Sequence, residues 1–523
     1  MKETEVLIIG AGPTGLMMAC QLALRGISFR IIDKTEDHTT QSRALVIHAR
    51  SLEIFQQMGI AEEAMRQGKI AKAVNLIVNG KRYLRFELHN IGNNLTDFPF
   101  LLILEQSKTE TILNNFLDRF NKNVERNIDL IEFSQDGKGV KAILQNKNGP
   151  SETVQVSWLI GADGAHSIVR ENSEIPFLGK TYNESLFVLD CEVNLNLPPD
   201  EMYLAFSKET FGALFPMTNG RCRVIGIVPK ELEEKETISF EDVNEKFPAQ
   251  TRLNVKLLNP EWISKYHSHH RVVSAFRKGR CFLAGDAAHI HSPVGAQGMN
   301  TGLQDAYNLA WKLVLVIQNK AHENLLDTYQ DERFEIARKL VKTTDRAFHV
   351  ITSENRLSKF YLTRIIPFTL KLVSPIAQKI KFFGNLAFKT ISEIGLHYRK
   401  SKLSEQDTSS FNKASPKPGD RVPYNPLRKS FTDGLSFHLV IFSRNNFSES
   451  VSEEINSIAH LYPGLVKINK IPISNDTENI YKQFGIKDRG LYLIRPDSYI
   501  AYRSKSLDTA KLKDYLKRIL ART

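Results

Sequence analysis

The chain has 523 residues, 42% of them hydrophobic and 24% charged, and its net charge at pH 7 is +12. This length is too great for one hydrophobic core, so it predicts two to four domains of ordinary globular composition. The basic residues are spread along the chain without a basic–aromatic array, which argues against a nucleic-acid partner and favours an anionic small molecule or surface.

The cysteines, the histidines and the start of the sequence predict a cytoplasmic protein without a metal site. Four cysteines are widely spaced and form no CxxC pair, as expected of buried thiols in a reducing compartment. His289 and His291 have the spacing of metal ligands, but no third ligand accompanies them. The sequence enters its first apolar run without a secretory signal pattern. No apolar stretch reaches the roughly 18 residues that a membrane-spanning helix requires.

The first predicted elements are a strand, a tight turn and a helix. The apolar run 6–9 is followed by three glycines with GxGxxG spacing that enclose a proline and a threonine (Gly10, Gly12, Pro13, Thr14, Gly15). At this spacing the first glycine permits the turn, the second lets a pyrophosphate approach the backbone, and the third lets helix and strand pack closely. A second apolar run, 27–32, ends at Asp33, near the expected position of a carboxylate that binds ribose hydroxyls. These features predict a dinucleotide site whose phosphates meet a helix N-terminus.

Two polar positions downstream are candidates for the same site. Arg43 lies just beyond the second strand, where a dinucleotide fold would bring it near the cofactor; a solvated loop arginine is an equally weighted alternative. Gln106 comes before a helix predicted over 108–120. Ser107 and Glu110 have the spacing of a capping box for that helix, which gives them a structural role but leaves Gln106 unexplained.

An aspartate follows each of two further apolar strands. Asp163 comes after the run 154–160 and could orient neighbouring backbone N–H groups, although a lone Asp-Gly pair is usually a turn. Asp286 comes after the run 281–284 and could accept hydrogen bonds from a polyol. A glycine-punctuated loop then leads to a helix that begins near Gly298, and the N-terminus of that helix can stabilise negative charge on a ring system.

Between these two strands the pattern changes to short alternating runs. From about 187 to 273 they predict an inserted antiparallel sheet. Phe215 and Met217 lie near strand ends and could line a pocket, although most such residues belong to an ordinary core.

The C-terminal third divides into three parts. The segment 359–397 is basic and hydrophobic and is interrupted by Pro367 and Pro375. Packed connecting helices are the favoured interpretation of it, and contact with a membrane surface is the less favoured one. A polar, proline-rich linker spans 401–426, and the tail then alternates strand-like and helical runs, as a compact α/β domain does.

Taken together, five segments resemble the flavoprotein aromatic hydroxylases, the single-component monooxygenases of the phenol hydroxylase and para-hydroxybenzoate hydroxylase type. The resemblance covers essentially the whole chain, and its tail, with LIRPDSYIAYRS, is similar to the thioredoxin-like C-terminal domain of the larger members. The five segments are the GAGPTG turn with Asp33, the loop through Arg43, Glu105-Gln106-Ser107, GADGAHSIVR (161–170) and AGDAAHIHSPVGAQGMNTGLQDAYNLAWKL (284–313).

The resemblance implies an α/β fold. A Rossmann-like FAD-binding domain would carry an inserted antiparallel β substrate domain, and a thioredoxin-like α/β domain without CxxC would follow. The expected domains are FAD-binding (1–72, 100–180 and 270–345), substrate-binding (73–99 and 181–269), helical connector (346–400), linker (401–428) and thioredoxin-like (429–523).

The resemblance also implies roles for individual residues. The three glycines would hold the FAD pyrophosphate, and Asp33 and Lys34 would contact the adenosine. Asp163 belongs to a DG motif that the family links to both FAD and the nicotinamide cofactor. Met299 and Asn300 would offer backbone N–H groups to the flavin ring. The full set expected to bind the cofactor is Gly10, Gly12, Pro13, Thr14, Gly15, Asp33, Lys34, Arg43, Gln106, Asp163, Asp286, Gly295, Gly298, Met299 and Asn300.

The implied reaction is NAD(P)H-dependent hydroxylation. NADPH or NADH would bind transiently, since the sequence has no second GxGxxG, and reduce FAD. Dioxygen would then form a flavin hydroperoxide that transfers one oxygen to an aromatic ring. Because the flavin carries this chemistry, no catalytic side chain is predicted. The candidates to line the substrate pocket are His48, Phe215, Met217 and Pro293.

The segment 43–48 departs from the phenol hydroxylases, because it contains no carboxylate that could deprotonate a phenol. A simple phenol is therefore disfavoured. The expected substrate is aromatic or polyketide-like, and a larger polycyclic one is left open. Two alternatives stay open, an antibiotic-inactivating flavin monooxygenase and a non-catalytic FAD-binding protein. A halogenase is disfavoured because the three tryptophans are isolated. The sequence does not predict the oligomeric state, and a homodimer is left open.

Overall fold

The computed structural model describes residues 4–37, 44–88, 91–353, 355–369, 381–407, 410–444, 449–507 and 509–521. Arg43, a predicted site residue, lies outside these ranges. The strands within them are β1 (Val6–Ile9), β2 (Phe29–Asp33), β3 (Val46–Ile47), β4 (Lys69–Ile70), β5 (Ala73–Val78), β6 (Lys81–Glu87), β7 (Leu102–Ile103), β8 (Glu125–Arg126), β9 (Ile128–Gln135), β10 (Val140–Asn146), β11 (Ser151–Val156), β12 (Trp158–Gly161), β13 (Phe177–Leu195), β14 (Met202–Phe206), β15 (Phe211–Pro216), β16 (Arg221–Ile227), β17 (Val255–Val273), β18 (Arg277–Lys278), β19 (Cys281–Leu283), β20 (His289–Ile290), β21 (Glu405–Gln406), β22 (Phe437–Ser443), β23 (Val466–Pro472), β24 (Arg489–Ile494) and β25 (Ile500–Ser504).

Helices occur between groups of these strands in the described chain. They are α1 (Pro13–Leu24), α2 (Ala49–Gln57), α3 (Ala61–Gln67), α4 (Gln106–Asp118), α5 (Ile168–Asn172), α6 (Phe240–Asn244), α7 (Lys246–Thr251), α8 (Gly298–Ile317), α9 (Asp327–Thr352), α10 (Arg356–Phe360), α11 (Lys381–Ile391), α12 (Glu449–Leu461), α13 (Glu478–Phe484) and α14 (Thr509–Ile519). A turn of π-helix, Tyr361–Ile365, continues α10.

The first sheet has the strand order β18-β19-β12-β1-β2-β8. β1 lies between β12 and β2 and runs parallel to both, and its four residues are at most 4% exposed. Such continuous burial matches its unbroken apolar sequence, and α1 packs against α4 and α8 beside it. Because the parallel strands point the same way, the loops after β1, β2, β12 and β19 meet at one edge of the sheet.

The second large sheet has the order β20-β17-β13-β16-β15-β14-β5-β6. It is antiparallel except for the pairing of β14 with β5, and β5 and β6 join it from an earlier part of the chain. The Phe247 ring of α7 covers one of its faces, where a Cβ at Gly212 would lie 2.5 Å from the ring. The opposite face of this sheet lies away from the Phe247 ring. The domain boundaries expected from the sequence stay predictions.

The C-terminal part is also an α/β unit, with the sheet order β21-β25-β24-β22-β23. Its elements follow in the order strand, helix, strand, helix, strand, strand, helix from β22 to α14. β22 is parallel to β23 and antiparallel to β24. The assignment of this C-terminal unit as thioredoxin-like stays a prediction.

A buried group of charges joins this unit to the first sheet's helices. Glu332 of α9 accepts hydrogen bonds from Lys312 of α8 (2.8 Å) and from Arg495 (2.5 and 2.9 Å), and these three side chains are at most 1% exposed. Arg495 also binds Asp497, which accepts a hydrogen bond from Trp311 at 3.2 Å. Although burial opposes it, Arg495 and Lys312 hold the pKa of Glu332 well below its usual range. Burial lowers the pKa of Lys312 to about 8.

Glu332→Ala should destabilise the protein strongly, because it leaves the buried Lys312 without its carboxylate and the buried Arg495 with only one of its two carboxylates. The expected loss is about 3–5 kcal/mol of unfolding free energy, measured by urea denaturation. Glu335→Ala is the matched control on the same helix: Glu335 is half exposed and pairs with exposed Arg338 at 3.3 Å, so the loss should stay under about 1 kcal/mol. Equal effects of the two substitutions would contradict the importance of the buried group.

Candidate functional site

The turn between β1 and α1 needs glycine at two places for packing. Gly10 has a φ of 95°, and a Cβ there would lie 2.4 Å from the carbonyl oxygen of Ala162. A Cβ on Gly15 would lie 1.9 Å from the carbonyl oxygen of Gly10. Neither position can hold a side chain without moving the backbone, so β1, α1 and the loop after β12 are held in close contact.

Gly12 differs from these two glycines because its side faces open space. A Cβ there would have no atom within 4 Å. Gly12 is the N-cap of α1, and no side chain caps the helix. The free N–H groups and the positive end of α1 therefore face a space that an anion could occupy.

Asp33 organises the loop after β2. Its carboxylate accepts hydrogen bonds from the N–H of Ala11 (2.7 Å), from the N–H of Thr35 (2.9 Å) and from the hydroxyl of Thr35 (2.6 Å). Lys34 is exposed beside it. Asp33 thus lies next to the glycine turn, as its position in the sequence predicts.

Asp163 presents an unpaired oxygen at the same edge. Its Oδ2 accepts a hydrogen bond from the N–H of Val169 at 3.2 Å, while its buried Oδ1 has no hydrogen-bond partner among the described residues. Burial raises the pKa of this carboxyl. An unpartnered buried oxygen beside Gly10 indicates a place for a polar ligand.

Thr14 joins the glycine turn to the distant segment after β19. A Cβ on Gly285 would lie 2.5 Å from its hydroxyl oxygen, and a Cβ on Gly302 would lie 2.3 Å from it. Both glycines thus make room for this one side chain, which brings the N-terminal turns of α1 and α8 together. Asp286 follows Gly285 and is exposed at this edge.

Asp305 of α8 ties the loop after β19 to α8 and α9. It is fully buried and accepts hydrogen bonds from the N–H of Gly285 (3.1 Å), from Nε2 of His289 (2.7 Å) and from Nε of Arg333 (2.6 Å). Although burial opposes it, Arg333 and His289 hold the pKa of Asp305 below its usual range. The sequence interpretation missed Asp305 and Arg333, because nothing local links an aspartate inside one helix to an arginine in the next.

The loop between β20 and α8 is tied to the segment before α2. The side chain of Asn300 accepts a hydrogen bond from the N–H of His48 (2.8 Å) and donates one to the carbonyl of Val46 (2.8 Å). His48 Nε2 donates to the carbonyl of Gly295 at 3.1 Å. Gly295 has a φ of 87°, which favours glycine there. The loop residues Pro293, Gly298 and Met299 are half-buried.

His48 is buried, and burial lowers its pKa to about 4. It is therefore neutral at physiological pH and donates through Nε2, while its buried Nδ1 has no partner among the described residues. His48 lies beneath the loop and positions it. A side chain that abstracts a proton from a substrate would have to be exposed to the pocket, and His48 is buried.

Gln106 lies beside the segment that follows Arg43. Its side-chain oxygen accepts a hydrogen bond from the N–H of Ala44 at 3.3 Å. Its amide donates to Glu110 at 2.9 Å. The predicted capping box is wrong, because α4 begins at Gln106 with Glu105 as its N-cap, and Ser107 lies inside the helix.

An apolar cluster faces this edge from the second sheet. Phe215 and Met217, both predicted to line a pocket, pack with Ala296 of the loop before α8. Met202 at the start of β14 and Phe86 of β6 belong to the same cluster and were missed. Phe86 comes from a strand far earlier in the chain than β15, so no local pattern links the two. The pocket candidates Phe215 and Met217 thus lie next to the loop that holds Pro293.

A row of paired residues extends this cluster across the sheet. Phe215 pairs with Arg223, which pairs with Asp190, which pairs with Trp262. Arg223 is fully buried and binds Asp190 through two hydrogen bonds of 2.7 and 2.6 Å. Trp262 donates to the same carboxylate at 2.9 Å. The charge of Asp190 is therefore satisfied within the sheet.

The next row on the same face, two residues further along each strand, is apolar from β5 to β13 and ends at Ser264 on β17. Leu76, Leu204 and Ile225 in it are half-buried, and Ala213 and Val188 are buried. The pairs are Leu76–Leu204, Leu204–Ala213, Ala213–Ile225 and Ile225–Val188. Partly exposed apolar groups across neighbouring strands make a flat surface that favours an apolar ligand.

Known proteins are similar to this chain in both sequence and fold. The FAD binding domain family matches residues 3–344, well over half of the chain. The chain belongs to the FAD-dependent aromatic hydroxylases. It is 31% identical to 6-methylpretetramide 4-monooxygenase of Streptomyces rimosus over 97% of this chain and 92% of that protein. It is 32% identical to pentachlorophenol 4-monooxygenase of Sphingobium chlorophenolicum over 80% and 76%.

Solved structures agree on the fold of this FAD-dependent monooxygenase. The flavin-dependent monooxygenase PieE, in complex with FAD and substrate, matches with a TM-score of 0.78 at 21% identity over 99% of each chain. Aklavinone-11 hydroxylase, in a ternary complex with FAD and aklavinone, matches with a TM-score of 0.74 at 22% identity over 99% and 98%. As a member of this family, the protein uses FAD with NAD(P)H as co-substrate.

Metal-ligand clusters and membrane-spanning helices are absent from the described ranges. No three or more His, Cys, Asp and Glu side chains among the described residues come together as metal ligands would. No described helix has the length and apolar character needed to cross a bilayer. Three of the cysteines are buried and Cys222 is half-buried, without disulfides among them.

Glu393 is a buried carboxylate that the sequence interpretation also missed. It accepts hydrogen bonds from Thr301 (3.0 Å) and Gln304 (2.5 Å) in the first turns of α8, and its φ is 62°. Burial raises its pKa to about 7, and Arg333 and Asp305 lie near enough to influence it. Glu393 is the only acidic residue between 355 and 398 of the sequence, and this isolation is the signal from which a special role could have been predicted.

Gly12→Ala should separate cofactor binding from folding. The new methyl group enters open space, so the unfolding free energy of the apoprotein should change by less than about 0.5 kcal/mol. Because the methyl group obstructs the N-terminus of α1, the Kd for FAD, measured by flavin fluorescence, should rise at least about ten-fold. Gly15→Ala is the control, since its methyl group meets the Gly10 carbonyl and should destabilise the apoprotein itself. Unchanged FAD affinity in Gly12→Ala would contradict this placement.

Glu393→Gln should change how stability depends on pH. The pKa of Glu393 rises from 4.5 to about 7 on folding, so the folded chain holds this proton more tightly. Its stabilising contribution is complete below pH 4.5 and is lost as the pH rises through 7. Relative to the variant, wild-type protein should lose about 3 kcal/mol of unfolding free energy across this range, measured by denaturation at each pH. Exposed Glu335→Gln should run parallel to wild type; a pH-independent difference for Glu393→Gln would refute the shift.

Proposed function

We propose that this monooxygenase hydroxylates a polycyclic, polyketide-like aromatic substrate that lies against the apolar face of the second sheet. The observation that carries the proposal is the unbroken apolar row from Leu76 on β5 to Val188 on β13. Adjacent strands lie about 4.8 Å apart, so this row spans about 19 Å, enough for several fused rings. A single phenol ring would cover only a small part of it.

The residues at the edge of the first sheet fit FAD. The open side of Gly12 leaves room for a pyrophosphate at the N-terminus of α1, and the unpaired Oδ1 of Asp163 offers an acceptor beside it. His291 Nε2 is likewise buried and unpartnered among the described residues, near Gly298 at the start of α8. When bound, FAD supplies the redox chemistry, accepting reducing equivalents from NAD(P)H and activating dioxygen.

In this proposal the glycine turn would hold the adenine half of FAD and α8 the flavin half. The N-terminus of α8 would stabilise negative charge on the ring, and Asn300, fixed by its bonds to His48 and Val46, would set the direction of the neighbouring backbone N–H groups. The whole predicted binding set, Arg43 and Lys34 included, stays a proposal.

The side chains of the pocket exclude water and orient the substrate in this proposal. Phe215, Met202 and Met217 would cover the reacting edge with apolar groups. Asp190 is already bound by Arg223 and Trp262, so its carboxylate is engaged and does not serve as a base for a phenol. This supports a substrate whose ring is electron-rich without deprotonation, in line with the absence of a carboxylate in 43–48.

Two relatives support the substrate class, and one supports an alternative. 6-Methylpretetramide and aklavinone, named for the relatives above, are the kind of substrate that the apolar face suits. Rifampicin monooxygenase of Rhodococcus hoagii, 31% identical over 67% of this chain and 72% of that protein, supports antibiotic inactivation as the second candidate. A non-catalytic FAD protein is the third, and it would bind FAD without substrate-stimulated NAD(P)H oxidation.

The decisive experiment compares polycyclic with monocyclic substrates. NADPH and NADH oxidation by the FAD-loaded protein should accelerate with tetracyclic aromatic polyketides and not with simple phenols, and mass spectrometry should find one added oxygen. Oxygen addition to rifampicin alone would favour antibiotic inactivation. Oxidation that no substrate stimulates would favour the non-catalytic alternative.

Ile225→Gln should weaken use of a polycyclic substrate, because it puts an amide in the middle of the apolar row. The expected loss in kcat/KM is at least about ten-fold, or 1.4 kcal/mol, mainly through KM, with unchanged FAD content. Leu258→Gln is the matched control, since Leu258 is an exposed leucine on β17 of the same sheet. Ile225→Leu should keep nearly full activity; equal effects of both glutamines would contradict the placement of the substrate.

A further inference from the structure

The helix at 356–369 carries its apolar side chains toward solvent. Helical backbone runs through α10, the π-turn and residues 366–369. Large apolar residues with spacings of three and four fall on its exposed side, which makes one stripe along the helix. They are Leu357 (76% exposed), Phe360 (57%), Tyr361 (51%), Ile365 (39%) and Phe368 (62%).

The other side of this helix is covered, since Thr363 and Pro367 are buried there. A surface helix normally shows the reverse arrangement, with polar groups outward and apolar groups inward. An outward apolar stripe of this size marks an interaction surface.

The charged residues of the surrounding segment are all basic. Residues 355–392 contain seven lysines and arginines and no aspartate or glutamate. Arg364 lies within the apolar stripe and is exposed. Within the described ranges no carboxylate forms an ion pair with Lys359 or Arg364. The surface therefore combines exposed apolar groups with uncompensated positive charge.

We propose that this surface, formed by the exposed side of 356–369 with Arg364, docks on an anionic phospholipid membrane. The helix would lie in the plane of the interface, with Leu357, Phe360 and Phe368 among the acyl chains and the cations at the headgroups. A second copy of the chain is the less suitable occupant, because a two-fold contact would bring two such cationic segments together. The membrane interpretation, less favoured from the sequence alone, thus gains its support from the outward direction of the stripe.

Vesicle flotation of the full-length, FAD-loaded protein tests this assignment. The protein should float with vesicles of phosphatidylcholine and phosphatidylglycerol mixed at about 2:1, at least about ten-fold more than with phosphatidylcholine alone. Ionic strength of about 1 M should release it. Flotation with neither vesicle, or equally with both, would overturn the proposal.

Two independent variants separate the apolar and the electrostatic parts. Phe360→Ser with Phe368→Ser removes the stripe, and Arg364→Glu reverses a charge within it; each should reduce flotation at least about ten-fold while FAD content and thermal unfolding stay unchanged. The controls are Leu178→Ser and Lys256→Glu, an exposed leucine and an exposed lysine in the second sheet, which should float like wild type. Full flotation of either test variant would refute the assignment. A dimer in sedimentation that the double variant dissociates would assign the surface to a second copy instead.

Discussion

The contact of Thr14 with two glycines, Gly285 and Gly302, is the constraint on which the site depends. It lets the first turns of α1 and α8 approach, although almost 300 residues separate them in the chain. The positive N-termini of both helices then face the same edge of the parallel sheet, as the proposed FAD site requires. A larger residue at either glycine would push these two helix N-termini apart.

Buried charge keeps this arrangement rigid. Asp305 links the loop after β19 to α9 through Arg333, and Glu332 links α8 and α9 to Arg495 in the C-terminal unit. Each carboxylate is paired with cations that hold it ionised in a dry interior, so removal of one partner costs far more than loss of a surface pair. The C-terminal unit therefore supports α8, the helix proposed to hold the flavin half of the cofactor.

The sequence predicted the parts of the site that rest on local geometry. The turn at Gly10, Gly12 and Gly15, the strand ending at Asp33 and the helix beginning at Gly298 are each specified by neighbouring residues, and the structure has them in these forms. The capping box at Ser107 failed for a local reason as well, because α4 starts two residues earlier than its polarity pattern indicates.

Glycine spacing and apolar runs act over a few residues, so the sequence was enough to predict a dinucleotide cofactor and the elements that surround it. The tertiary structure was needed to define the proposed substrate face, because that face depends on the register between β5 and the strands β14, β15 and β16, which lie much later in the chain. It also decided the roles of Asp305 and Glu393 and the outward direction of the stripe at 356–369. Burial and partnership across long distances set these properties, and no local pattern encodes them.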